Sequence, residues 1–113
     1  MQVLFKSRHP QATELRDLAE RRVRFVLRRL MWLVPHAEVQ MSDVNGPRGG
    51  IDKRCQVALR TDGGGSVVVA SVAGDWRTAL DQALARAARY VLRTWRRGHD
   101  TRRLQRRVLG HES

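Results

Sequence analysis

Residues 54–60 read Arg54-Cys55-Gln56-Val57-Ala58-Leu59-Arg60, and after Gly63-Gly64-Gly65 the chain continues Ser66-Val67-Val68-Val69-Ala70-Ser71-Val72-Ala73. In the first segment Cys55, Val57 and Leu59 alternate with Arg54, Gln56, Ala58 and Arg60, the period of two that a half-buried strand imposes. In the second, Val67-Val68-Val69 favours extended backbone, because β-branched side chains pack well on a pleated surface. Upstream, Ala37, Val39 and Met41 alternate in the same way with Glu38, Gln40 and Ser42. The connections are turn formers: Asn45-Gly46, Pro47 and Gly49-Gly50 before Arg54, and the triple glycine after Arg60. Three strands joined by short loops read as an antiparallel meander.

On either side of the meander the period changes. Leu15, Leu18, Ala19, Val23, Val26, Leu27 and Leu30 recur at steps of three and four, which places them on one helical face. The spacing predicts a helix from about residue 12 to about residue 33, with Thr13 one candidate N-cap and Pro35 as the barrier beyond its end. About 20 residues at 1.5 Å each make a rod of roughly 30 Å. Before it, residues 2–6 form a short strand ended by His9-Pro10. A second helix is expected from about Asp75 to Arg97, with Leu80, Ala83, Leu84, Ala87 and Val91 as its apolar face, Trp76 and Trp95 flanking, and Gly98 as its stop. Residues 98–113 carry Arg102, Arg103, Arg106 and Arg107 with little to bury, and read as a mobile or weakly helical basic tail. The order β-α-β-β-β-α implies an α+β fold: a four-stranded mixed sheet with two helices packed on one face, forming one domain over residues 1–97.

Composition narrows the function. The chain has 113 residues, 22 Lys plus Arg against 11 Asp plus Glu, and a formal net charge of +11. That length fits one domain, and 42% hydrophobic residues suffice for a core. The single cysteine, Cys55, excludes an internal disulfide framework and a four-cysteine zinc site. No apolar run approaches the roughly 18 residues of a membrane helix, and the N-terminus lacks a signal-peptide core. The expectation is a soluble protein of the reducing cytoplasm with a polyanionic partner, no membrane and no small-molecule substrate. Twenty of the basic residues are Arg, whose planar fork suits phosphate and bases, although a GC-rich genome produces the same bias.

The charge is concentrated. At about 100° per residue, Arg86, Arg89, Arg93, Arg96 and Arg97 fall within an arc of roughly 100°, while the apolar face centres roughly 110° from Arg86. From Arg86 to Arg107 there are nine arginines and one acid, Asp100. A solvated helix also shows a charged outer face, and basic residues near its C-terminus complement the dipole, as Asp75 and Asp81 do at the other end. Dipole complementation needs only one or two charges, however, and adjacent like charges repel by a few tenths of a kcal/mol per pair. The ridge therefore reads as an anion-binding surface. On the first helix Glu14, Asp17 and Glu20 precede Arg21, Arg22, Arg24, Arg28 and Arg29, so the dipole accounts for those arginines equally well. Arg22 and Arg29 flank the apolar face and can line a groove beside the second helix.

Other candidates carry less. His9, His36, His99 and His111 are scattered without metal-ligand spacing, so neither a metal nor another cofactor is expected. Cys55 falls on the apolar parity of its strand and reads as a small buried hydrophobe. The triple glycine joins two strands, not a strand to a helix, and is a turn and not a phosphate loop. The outer sheet face offers Arg54 and Arg60 but no row of aromatics for base stacking. No acid–base or nucleophile–base pair assembles, so the chain does not read as an enzyme.

The element order, the basic second helix and the length resemble the family of ribosome hibernation promoting factor and ribosome-associated inhibitor A (sigma-54 modulation protein), in its short form. Ser42-Asp43-Val44-Asn45-Gly46, then Gly49-Gly50-Ile51-Asp52-Lys53-Arg54-Cys55, is similar to one bacterial branch of it, as is Asp75-Trp76-Arg77-Thr78-Ala79-Leu80-Asp81 at the start of helix two. The likeness spans about residues 1–97. It implies binding to 16S-type rRNA of the small ribosomal subunit near the decoding centre, exclusion of mRNA and tRNA, and silencing of idle ribosomes during stress. The basic helix positions of the family map onto Arg86, Arg89, Arg93 and Arg96, with Arg22 and Arg29 as partners from helix one and Arg97 extending the ridge. Lysines common on these helices in the family are arginines here. No dimerisation domain of the long forms follows Gly98, which leaves open whether ribosomes are paired or silenced singly; a monomer is expected away from the ribosome. Two other classes remain: a double-stranded RNA-binding module, which would start with a helix and carry a Lys cluster, and a protein-interaction modulator of a transcription factor.

Overall fold

Alternating apolar residues produce four strands, β1 (Gln2–Ser7), β2 (His36–Asp43), β3 (Lys53–Arg60) and β4 (Ser66–Ala73), adjacent in that order in one sheet. Helix α1 (Arg16–Val26) connects β1 to β2, and α2 (Trp76–His111) follows β4. This computed structural model describes residues 1–8, 12, 14–44, 52–62 and 65–111, with side chains through residue 98. The His9-Pro10 break, the Thr13 cap, the turn at residues 45–50, Gly63-Gly64, and the side chains of His99, Asp100, His111 and the arginines after Gly98 lie outside the described residues.

The sheet is mixed, as the sequence implies. A helical crossover returns the chain in the same direction, so β1 pairs parallel to β2, whereas the short connections make β2–β3 and β3–β4 antiparallel. The register aligns Phe5, Val39, Val57 and Val69 across all four strands, and Ser7, Met41, Cys55 and Ser71 beside them. These rows face inward. Val39, Val57 and Cys55 are fully buried beneath Ala19, Val23 and Leu27 of α1 and Leu80, Ala83, Leu84, Ala87 and Val91 of α2. Alanines at 79, 83 and 87, one helical turn apart, present a smooth stripe to the sheet, and Leu80, Leu84 and Val91 fill the space beside it.

Two helix boundaries differ from the sequence expectation. The regular part of α1 begins at Arg16 and ends at Val26, not near residue 33. Beyond it the chain continues in turns, with the Leu30 amide donating to the Leu27 carbonyl (2.8 Å) and Leu33 to Leu30 (2.9 Å). Bonds three residues apart wind the backbone more tightly, which suits apolar residues spaced by three: Leu27, Leu30 and Leu33. That winding buries both Leu33 and Val34 before Pro35 leads into β2.

Helix α2 does not stop at Gly98 but runs on to His111. A glycine ends a helix when the chain needs a left-handed turn there. With no proline behind it and Arg102, Arg103, Leu104 and Gln105 a turn further on, Gly98 is only a weak position inside a helix, costing about 1 kcal/mol relative to alanine. The start of α2 is capped: the Asp75 carboxylate accepts both the backbone N–H and the hydroxyl of Thr78, each at 2.8 Å. Those bonds hold the Asp75 carboxyl below its ordinary pKa.

Candidate nucleic-acid interface

The arginines of α2 stand together on its outer side. Arg86, Arg89, Arg93, Arg96 and Arg97 are all exposed, on the side turned away from Ala83, Leu84, Ala87 and Val91. Arg86 sits at the boundary with the sheet, where its Nη1 donates to the Ala70 carbonyl of β4 at 3.1 Å. Two turns on, the Arg93 guanidinium lies 5.7 Å from the centre of the Tyr90 ring. Arg86, Arg89, Tyr90 and Arg93 together line a shallow cleft of about 220 Å³. Among the described residues, Arg89 and Arg96 make no hydrogen bond or ion pair. Their full charge faces solvent.

Helix α1 disposes of its arginines differently. Arg22 faces α2, as its flanking position suggests, but its Nε lies 2.9 Å from Asp81 Oδ1, so a carboxylate matches its charge. Arg24 pairs with Glu20 at 3.3 Å and also donates to the Met1 carbonyl at 3.2 Å. Arg21 reaches back to the Asp17 carbonyl. Arg29 is exposed, and no hydrogen bond or ion pair engages its side chain among the described residues. Of the two residues assigned to the interface from the first helix in the sequence, Arg29, which lies in the turns after α1, offers a cation with no partner among the described residues, and Arg22 an interhelical ion pair.

The sequence reading overlooked the exposed aromatics. Phe25, Trp32 and Tyr90 are exposed, and Trp95 stands at the rim of the helix pair. Arg28 and Arg22 lie over the Phe25 ring at 4.5 and 5.5 Å. Trp32 meets Trp95 edge to face, ring centres 5.7 Å apart, and its Nε1 donates to the Arg29 carbonyl at 3.1 Å. A signal was present: Phe25, Arg28, Arg29 and Trp32 follow the steps i, i+3, i+4 and i+7 outside the apolar stripe.

Elsewhere the chemistry is quiet. Cys55 is fully buried, and burial pushes its thiol up to about 12, so it is an inert core side chain. Arg54 donates to Gln56 Oε1, and Arg60 is exposed at the end of β3. The described outer sheet face carries Leu4, Val68 and Val72 but no aromatic ring. His36 is exposed at the start of β2, and no three metal-ligating side chains converge among the described residues.

The architecture is an α+β fold in which a four-stranded sheet carries two helices on one face, the outer helix bearing a basic ridge. Solved structures share it. The chain is similar to the N-terminal domain of Protein Y from Thermus thermophilus (22% identity, TM-score 0.63) over 83% of this chain and 97% of that one. It is also similar to a ribosomal subunit interface protein from Coxiella burnetii (11% identity, TM-score 0.64), again over 83% and 97%. No protein-family model and no curated protein matches the chain.

Proposed function

We propose that this protein is a ribosome-associated translation inhibitor of the hibernation type, acting in the cytoplasm and binding rRNA of the small subunit through residues 1–97. The observation that carries the reading is the exposed ridge of α2, with Arg89 and Arg96 in no ion pair among the described residues, on a fold shared with a ribosomal subunit interface protein. Like charges at neighbouring helical positions repel one another, and a polyanion relieves that repulsion.

The mechanism is electrostatic docking followed by steric exclusion. Arg86, Arg89, Arg93, Arg96 and Arg97 neutralise phosphates, Arg29 adds a cation from the turns after α1, and Arg22 holds the two helices in register through Asp81. The packed helices then occupy the space that message and tRNA need, near the decoding centre, as the family resemblance implies. No bond is made or broken, no cofactor takes part, and the protein acts as a monomer away from the ribosome.

Co-sedimentation with separated subunits tests this. The expected result is association with small subunits at low salt, loss at high salt and competition by bound tRNA. Tighter binding to naked duplex RNA than to ribosomes would overturn it in favour of a duplex-binding module. Salt-insensitive binding to a protein would overturn it in favour of a protein-interaction role.

A further inference from the structure

An electrostatic ridge explains attraction to a polyanion but not the aromatic rings beside it. Trp32 is 64% exposed, although indole is among the most costly side chains to leave in water. Its position is fixed. The Nε1 bond to the Arg29 carbonyl and the edge-to-face contact with Trp95 hold the ring across the seam between the two helices. That much exposure leaves a broad ring face open to solvent.

Arg28 and Arg29 adjoin it in the sequence. Arg29 precedes it by one turn and its side chain has no partner among the described residues, and the Arg28 guanidinium lies 4.5 Å from the centre of the Phe25 ring, its Nη1 donating to the Phe25 carbonyl at 2.8 Å. On the other side of the seam, Trp95 projects from α2 next to Arg96 of the ridge. An aromatic face flanked by arginines matches a base with its neighbouring phosphates: the ring stacks on the base and the guanidiniums reach the backbone. A duplex hides its base faces, so only unpaired nucleotides can use such a surface. A purely apolar protein partner would instead be penalised by desolvating Arg28 and Arg29.

We propose that Trp32 is a stacking site for an unpaired RNA base, with Arg28 and Arg29 holding the adjoining phosphates, so that the helix pair selects single-stranded RNA. This inference rests on the RNA-binding reading of the ridge and adds base recognition to it. Sequence-tolerant stacking of this kind depends on the ring, not on its indole nitrogen.

The test compares two labelled probes by fluorescence anisotropy at low salt: a ten-nucleotide mixed-sequence RNA and the same backbone without bases. The wild type is expected to bind the base-bearing strand more tightly. Trp32→Ala should weaken that binding about five- to one-hundredfold, leave the abasic probe unaffected, and lose no secondary structure. Trp32→Phe should restore most of the loss. Equal binding of both probes by the wild type, or an equal loss on both probes in Trp32→Ala, overturns the stacking site while the RNA reading stands. Absence of binding to either probe overturns the RNA reading itself.

Discussion

Arg22 Nε and Asp81 Oδ1 lie 2.9 Å apart across the seam between α1 and α2, 59 residues from one another in the sequence. Asp81 is also 4.0 Å from Arg77, so one carboxylate serves two arginines and offsets part of the positive charge at the seam. On the outer side, Arg89 and Arg96 meet no such carboxylate among the described residues. Charge on the two helices is thus segregated by face.

Removing that carboxylate separates its two roles. The pair is about one-third exposed, 29% and 35%, so solvent screening limits Arg22→Ala to a loss of about 0.2–1 kcal/mol in urea denaturation. Asp81→Asn should cost a similar amount yet strengthen RNA binding, because it frees Arg22 for phosphate. A nitrocellulose filter assay on small subunits would read the second effect.

The ridge should dominate the salt dependence. If about six phosphates are engaged, log K falls with log salt at a slope of about −4 to −5. Arg89→Glu with Arg93→Glu should make that slope shallower by about 1–2 and weaken binding strongly, whereas Arg60→Glu, on the far side of the sheet, should change little. Equal losses from the two changes would remove the ridge from the interface.

Gly98 offers a check on helix continuity. A Cβ at this position meets nothing within 4 Å, and the backbone is helical through His111. Gly98→Ala should therefore raise helix content by far-UV circular dichroism and stabilise α2 by about 1 kcal/mol. A helix that ended at Gly98 in a left-handed turn would respond in the opposite direction.

Cys55 predicts an alkaline limb in stability. Its thiol is raised from the ordinary 9.0 to about 12 by burial, so the folded state holds the proton that the unfolded chain releases. Stability from this group is complete below pH 9 and is lost as pH rises from 9 toward 12, by up to about 1.4 kcal/mol per pH unit. Urea titrations of wild type and Cys55→Ala across that range should show the steeper fall in the wild type, and thiol reagents should label native Cys55 slowly at neutral pH.

Much of the architecture was legible because it is written in short-range periods. Cys55, Val57 and Leu59 announce an inward face by parity alone, and the glycines after Arg60 announce the return of the chain. The arginine ridge was equally plain, since a wheel needs only a helix and its sequence. Boundaries were less so. Leu27, Leu30 and Leu33 fit a helical stripe and a tighter winding alike, and a lone glycine such as Gly98 marks either a stop or a weak point.

The periodicity of the chain thus settled its elements, their buried faces and the sign of its outer surface, because each depends on side chains a few residues apart. Which arginines find a carboxylate, and which aromatics meet, was settled by the packing of α1 and the turns after it against α2. Arg22 of α1 finds Asp81, and Trp32 in the turns after α1 finds Trp95, only once both helices lie on the same sheet face. No local period encodes the angle and offset of two helices, because these follow from how whole side-chain surfaces interlock over the sheet.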